Sequence, residues 1–420
     1  MPGDAALRIL IVGVNYAPEP TGIAPYTSGI AAGLASRGHD VSVVTTFPHY
    51  PRWHYGERPP SRMAETLDGV TVNRVRHYVP RRPTTWNRAF FELAFGVRAA
   101  SLPWRDPDVV LTVSPALVAS AFVACRARLT RRGAGLGLVI QDLYSDAVGE
   151  TGAGGSGTAM VMRGVESGTA QLCDGVAVIH ERFKARVVER LGIDPGRVTV
   201  IRNWSHLSAT SDFDEQAFRA ELGWGTNETV ILHAGAMGAK QGLENVVDAA
   251  AVADREALPL RFVLMGDGNQ RAQLEGRASG LKRLQFLDPL DDLSFRRALR
   301  CADILLVNER PGLMEMAVPS KLTSYFTSGR PVVAATEPNS ITAHELVASR
   351  AGVRVDPGQP EALIHAVLNL SDEREVQAAM GAAGRSYAAS VLSRESAIEA
   401  YDEWVHALAH LRDRRRVGQP

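Results

Sequence analysis

Two hydrophobic periodicities alternate along this chain. Short runs of aliphatic and β-branched residues, such as Leu7–Val12 and the alternating Asp40–Thr46, predict strands. Longer stretches that repeat an apolar residue every three or four positions predict helices. In the first half the strands fall at 7–14, 40–46, 70–76, 109–113, 136–140, 175–179 and 198–202. Helical stretches lie between them at 22–37, 86–102, 115–131, 158–172 and 181–191. The second half repeats the scheme, with strands at 229–233, 260–265, 284–287, 303–307 and 331–335 and helices at 242–255, 269–279, 291–300, 320–328 and 341–349. Helical patterns at 360–370, 373–389 and 394–412 close the chain before the basic run Arg412-Asp413-Arg414-Arg415-Arg416. Strands alternating with helices predict parallel sheets covered on both faces. The expected fold class is therefore α/β: two Rossmann-like doubly wound domains facing across a cleft, with C-terminal helices.

Length agrees with two domains, because 420 residues exceed the size at which a single core stops growing. The polar segment Ser205–Asp214 marks the boundary and gives domains at 1–204 and 205–390, with a C-terminal helix and basic tail at 391–420. No run of 18 apolar residues occurs, and the N-terminus reads as a strand rather than a leader. The expected location is cytoplasmic, with peripheral attachment to the inner face of the plasma membrane left open. Cys125, Cys173 and Cys301 are odd in number and far apart, and are expected to be buried thiols of a reducing compartment. Net charge is zero, yet residues 1–205 carry +6 and residues 206–420 carry −6, so the basic half suits an anionic surface.

The chemistry concentrates at strand ends. Val230 through Gly242 reads as a buried strand, a glycine-rich turn (Gly235, Gly238) and a helix, which together turn backbone N–H groups and a positive helix end toward an anion. Lys240 stands in that turn. Pro319-Ser320-Lys321 opens a second helix, with Ser320 as expected N-cap and Lys321 in the first turn, where a cation is disfavoured unless an anion is near. The chain has 4 Lys (184, 240, 282 and 321) against 42 Arg, so finding two of them at these starts points to a diphosphate. Gly22, where the first strand gives way to a helix, permits close approach of a phosphate or sugar, or serves only the turn.

Other segments carry weaker signals. Gly266-Asp267-Gly268 reads chiefly as a packing turn, and the first strand lacks the Gly-x-Gly-x-x-Gly of a dinucleotide enzyme. Asp106-Pro107-Asp108 reads as a turn rather than a metal site, and no metal or other cofactor is expected. Asp142, after strand 136–140, either orients a reacting sugar or caps a turn. The glycine run 152–157 is a lid or, preferably, a linker. Arg81 and Arg82 lead into Trp86, Arg88, Phe90, Phe91, Phe95, Arg98, Trp104 and Arg105, a mixture that suits an anionic membrane or a helix covering the sheet.

Taken together, Tyr16 through Gly22, Ser36-Arg37-Gly38-His39-Asp40-Val41, Asn203-Trp204, Gly235 through Gly242, Gly266-Asp267-Gly268 and Ser328 through Ala334 resemble the GT-B glycosyltransferases of the large retaining family four. Gln141 through Tyr144 and Val318 through Leu322 are similar to its colanic-acid-type fucosyltransferase branch. The resemblance implies a retaining hexosyltransferase that takes a nucleoside-diphosphate sugar and glycosylates a hydroxyl of a saccharide, expected to be lipid-linked. It implies that 1–204 binds acceptor and 205–390 binds donor. Gly22, Gly238, Lys240, Ser320 and Lys321 would hold the diphosphate, and Gly235, Gly266 and Ser324 the nucleotide or sugar. The family's glutamate pair maps to Met316 and Ser324, so Glu315 is the adjacent candidate beside Asp142 for catalysis; the family's histidine is replaced by Gln141. No nucleic-acid partner is expected. A sugar-nucleotide 2-epimerase and a non-catalytic partner of a polysaccharide assembly complex are the competing expectations.

Overall fold

A computed structural model describes residues 5–19, 22–50, 52–81, 84–114, 116–129, 133–142, 156–204, 212–312 and 320–417. The chain divides into two compact units: Met1–Asn203 together with Arg394–Pro420, and Trp204–Ser393.

The first unit holds β1 (Arg8–Val12), β2 (Asp40–Thr46), β3 (Arg62–Leu67), β4 (Val70–Val75), β5 (Val109–Ser114), β6 (Gly135–Ile140), β7 (Gly175–Val178) and β8 (Val198–Val200). Their order in the sheet is β3-β4-β2-β1-β5-β6-β7-β8. Neighbours are parallel except β3, which runs antiparallel to β4. The pattern Arg-Met-Ala-Glu-Thr-Leu does not announce β3, because an edge strand with one wet face needs no apolar run. Its turn was legible: Asp68 and Gly69 both take positive φ (50° and 78°), the backbone that Asp-Gly gives a two-residue hairpin.

The helix Arg394–Val417 packs on this first unit, far in sequence from the strands it covers. Gly137 and Gly175 make its seat: a Cβ at Gly137 would lie 2.6 Å from the Trp404 ring, and one at Gly175 2.9 Å from the indole nitrogen. Asp402 fastens the helix through His39 Nε2 (2.6 Å) and Arg37 (3.3 Å), and Arg412 binds Asp108 at 2.7 Å. Asp108 also accepts the Arg8 N–H, so the Asp-Pro-Asp turn has a structural task.

The second unit holds β9 (Thr229–Ala234), β10 (Leu260–Met265), β11 (Leu284–Leu287), β12 (Ile304–Asn308), β13 (Val332–Ala335) and β14 (Gly352–Val355), all parallel, in the order β11-β10-β9-β12-β13-β14. Five strands were expected; β14 is the sixth, a short edge strand whose Gly352 lies against the Val332 backbone. Along β9 the side chains alternate between two cores. Val230, Leu232 and Ala234 pack with Leu322, Tyr325 and Phe326, while Ile231 packs with Val246, Leu264 and Leu363. This is why β9 and β12 read as continuous apolar runs.

Candidate functional site

In the second unit the turns that follow β9 and β10 lie backbone against backbone. Gly235 N–H donates to Met265 O (2.9 Å), Met237 N–H to Asp267 O (2.9 Å) and Gln270 N–H to Met237 O (3.0 Å). Gly235 and Gly266 take φ of +132° and +138°, and a Cβ on Gly266 would run into the Gly235 carbonyl. Glycine at 266 is thus required by packing, as its sequence context suggested. Gly238 N–H donates to Gln241 Oε1 at 3.0 Å and opens a single 3-10 turn, Ala239–Gln241, that carries the exposed Lys240. The helix expected from 242 begins at Glu244. Gly242, at φ +54°, has the Arg310 backbone 2.9 Å from where a Cβ would stand.

Lys321 enters this region from the helix Ser320–Ser328. Its Cε and Nζ are the nearest atoms, 3.7 Å, to a Cβ built on Gly235, and Nζ lies 3.3 Å from His233 Nε2. His233 is fully buried in β9; burial first, and the lysine charge second, hold its pKa well below the imidazole range. The neutral ring therefore accepts from the ammonium through Nε2. Burial pushes the Lys321 pKa down to about 8, with Glu309 opposing. Glu309, just past the end of β12, accepts from the Thr336 hydroxyl and from Thr342 Oγ1 (2.7 Å). Burial raises its pKa against those hydrogen bonds and the Lys321 charge. Tyr325 pins the helix beneath β9, its hydroxyl accepting the Ala234 N–H at 2.8 Å. Ser324 is half-buried on the same helix. His233, Glu309 and Tyr325 were not singled out from sequence; a histidine inside an apolar strand, and a glutamate directly after one, were the available signals.

A cation stands in the first turn of a helix, where the dipole disfavours it, with a neutral imidazole as hydrogen-bond partner. An anion at the Gly235 turn would satisfy both the ammonium and the helix end.

In the first unit, Gly22 has φ +68° immediately ahead of the helix Ala24–Ser36, and a Cβ there would meet the Tyr50 ring at 3.4 Å. Asp142 is half-buried past the end of β6, where its carbonyl accepts from Ser114 Oγ at 3.3 Å. Gln141 is buried and accepts from Asn203 Nδ2 at 2.8 Å. Glu315, Met316 and Pro319, with glycines 152, 154 and 155, lie outside the described residues.

Two sequence expectations change. Cys125 is exposed, while Cys173 and Cys301 are buried. Trp104 leaves the exposed aromatic fringe: its indole N–H donates to Ala99 O at 3.2 Å and Arg126 stacks 4.1 Å from its ring. On the helix Thr85–Ser101, Phe91 and Phe95 are buried, whereas Trp86 (85% exposed), Phe90 (54%), Leu93 and Val97 form an uncovered stripe at helical spacing. Finally, His406 and His410 stand four apart on the C-terminal helix, and His39, Asp402 and His406 bring ligand atoms within 4.8 Å. Leu7 N–H donates to His39 Nδ1 (3.1 Å), so the proton is on Nε2, facing Asp402, and leaves that nitrogen no lone pair for an ion.

Residues 21–204 match the glycosyl transferase 4-like domain and residues 228–373 match glycosyl transferases group 1, so this chain belongs to the GT-B glycosyltransferases built from that pair of domains. It is 34% identical over 347 residues to the putative colanic acid biosynthesis glycosyl transferase WcaI of Escherichia coli K12, covering 79% of this chain and 84% of that one. The fold is also that of sucrose-phosphate synthase from Thermosynechococcus elongatus (TM-score 0.73, 16% identity, 96% and 99% of the two chains). It is shared with Anabaena HepE, solved in complex with UDP-glucose (TM-score 0.69, 17% identity, 96% and 100%).

Proposed function

We propose that this protein transfers a hexose from a nucleoside-diphosphate sugar to a hydroxyl of a lipid-linked saccharide, with retention and without a metal ion, in cell-surface polysaccharide or glycolipid synthesis. The observation that carries this reading is Lys321, an ammonium at a helix start beside Gly235 with a neutral histidine as partner. The leaving diphosphate develops negative charge as the anomeric bond breaks, and fixed donors in a dry site stabilise that charge. Lys321, Lys240, Ser320 and the Gly235–Gly238 turn would supply them in the second unit, and Gly22 of the first unit is assigned to the same diphosphate. Asp142 and Glu315 are the carboxylates assigned to the reacting sugar. The name of WcaI supports a polysaccharide product, and the UDP-glucose held by HepE supports a nucleotide-sugar donor.

The exposed stripe Trp86, Phe90, Leu93 and Val97, flanked by exposed Arg81, Arg88 and Arg98, supports peripheral contact with an anionic membrane and hence a lipid-linked acceptor. Thermal unfolding against UDP, GDP, ADP and dTDP and their sugar conjugates, with and without chelator, tests the donor site. A chelator-insensitive rise for one nucleotide family is expected; no rise with any of them defeats the reading. Trp86→Ser with Phe90→Ser should abolish sedimentation with phosphatidylglycerol vesicles, and unchanged sedimentation retires the membrane contact.

A further inference from the structure

We infer that the loop after β2 carries the platform for the acceptor saccharide, formed by Tyr50 and Trp53, an assignment that rests on the transferase reading above. In a doubly wound sheet, ligands bind beyond the carboxyl ends of the strands, and this loop leaves the carboxyl end of β2 beside the loop that leaves β1. Glu19 stitches the two loops together. The residue is 5% exposed; Oε1 accepts the N–H groups of His49 (2.8 Å) and Tyr50 (2.9 Å), and Oε2 accepts from Asn15 Nδ2 (2.7 Å). Buried charge–amide bonds of this kind fix backbone position.

Trp53 sits on that pinned loop in a backbone state that bulky side chains avoid, with φ +54°. Left-handed backbone is unfavourable for such a residue and persists where the surroundings impose it. The Trp53 N–H donates to His49 O at 2.6 Å, and the ring meets Phe91 and Tyr50 edge-on at 5.6 and 6.2 Å. Even so, Tyr50 and Trp53 are both only half-buried. A packing aromatic would be covered, and a free loop aromatic would relax its backbone. Strain held in a partly exposed ring at a strand end fits a ligand clamp.

The chemistry fits a pyranose. Its C–H face lies against an aromatic ring, and its hydroxyls need donors at the edge; binding sites combine aromatic walls with a few placed polar groups. Arg88 holds its guanidinium over one face of the Trp53 ring, 5.2 Å from its centre, which leaves the other face for a sugar, and Tyr50 contributes a hydroxyl. The Tyr50 ring also borders Gly22, the glycine assigned to the donor. The diphosphate ligands, by contrast, belong almost entirely to the second unit, which leaves this first-unit surface for the acceptor.

The full-length chain and three variants, Trp53→Ala, Trp53→Gly and Tyr50→Ala, are applied to an array of immobilised bacterial saccharides, and each protein's thermal shift with UDP and GDP sugars is recorded in parallel. Glycine relieves the left-handed strain while deleting the ring, so Trp53→Gly keeps the test sound if the alanine variant misfolds. Wild type should capture a defined set of saccharides. The variants should lose capture at least tenfold, while the nucleotide-sugar shift of the two Trp53 variants stays at the wild-type value. Undiminished capture by Trp53→Gly and Tyr50→Ala overturns the platform, and so does a wild type that shifts with nucleotide sugar yet captures no saccharide. Trp53-dependent capture by a chain that shifts with no nucleotide would keep the platform and overturn the donor reading instead.

Discussion

Replacing Lys321 with methionine should stabilise the ligand-free protein at neutral pH while removing its response to nucleotides. The ammonium titrates at about 8 in the folded chain against an ordinary value of 10.5, because burial disfavours its charge. That difference corresponds to about 3 kcal/mol against the charged folded form. A lysine whose folded pKa lies below its unfolded one carries this cost in full below pH 8, and the cost fades as pH rises toward 10.5. By pH 9.5 about 2 kcal/mol of it should have gone. Methionine fills the stem volume without charge, but leaves His233 Nε2 without its donor, a loss of about 1–2 kcal/mol. The net expectation at pH 7 is a gain of about 1–2 kcal/mol, roughly 2–8 °C in melting temperature, that vanishes or reverses at pH 9.5. Thermal unfolding at the two pH values, each with and without UDP or GDP sugar, measures both halves of the claim. Ligand at about 100 times its Kd raises wild-type stability by about 2.7 kcal/mol, and the variant should show little of that rise. A Lys321→Met protein that tracks wild type equally at both pH values, or keeps the nucleotide shift, refutes the placement of this ammonium in a desolvated anion site.

Further outcomes follow from the same geometry. Gly266→Ala should destabilise the second unit by about 3 kcal/mol or more, since the new methyl meets the Gly235 carbonyl at a φ of +138°; chemical denaturation reads this, and a loss under about 1 kcal/mol would contradict the packed turns. Glu92, which accepts the Val118 N–H at 2.9 Å, has its pKa pushed up to about 7 by burial. Its folded pKa exceeds the unfolded one, so stability falls as pH rises through 4.5 to 7, and Glu92→Gln should recover up to about 3 kcal/mol above pH 7 with no gain at pH 4. Asp402→Asn removes the charge shared by His39 and Arg37, and should raise hydrogen exchange along the helix Arg394–Val417 while leaving exchange in the second unit unchanged.

The periodicity of the chain determined most of its elements. The helices at 181–191, 320–328 and 341–349 fall where spacing alone puts them, because their apolar stripes and flanking turn residues are local properties. The glycine turn after β9 and the lysines at the two helix starts were legible for the same reason: backbone freedom and charge at a helix start are written within a few residues. Edge strands β3 and β14 were missed, since Arg-Met-Ala-Glu-Thr-Leu and Gly-Val-Arg-Val carry no apolar run. Tertiary structure alone decided that the last helix returns to the first unit, where Gly137 and Gly175 leave room for Trp404. It also decided that Trp104 stacks under Arg126 while Trp86 stays exposed, a difference of neighbours that composition cannot express. The pairing of Lys321 with His233, 88 positions apart, belongs to the same class. Sequence fixes which groups can ionise or accept; only the fold sets which of them lose water together, and that loss is what lowers the Lys321 pKa.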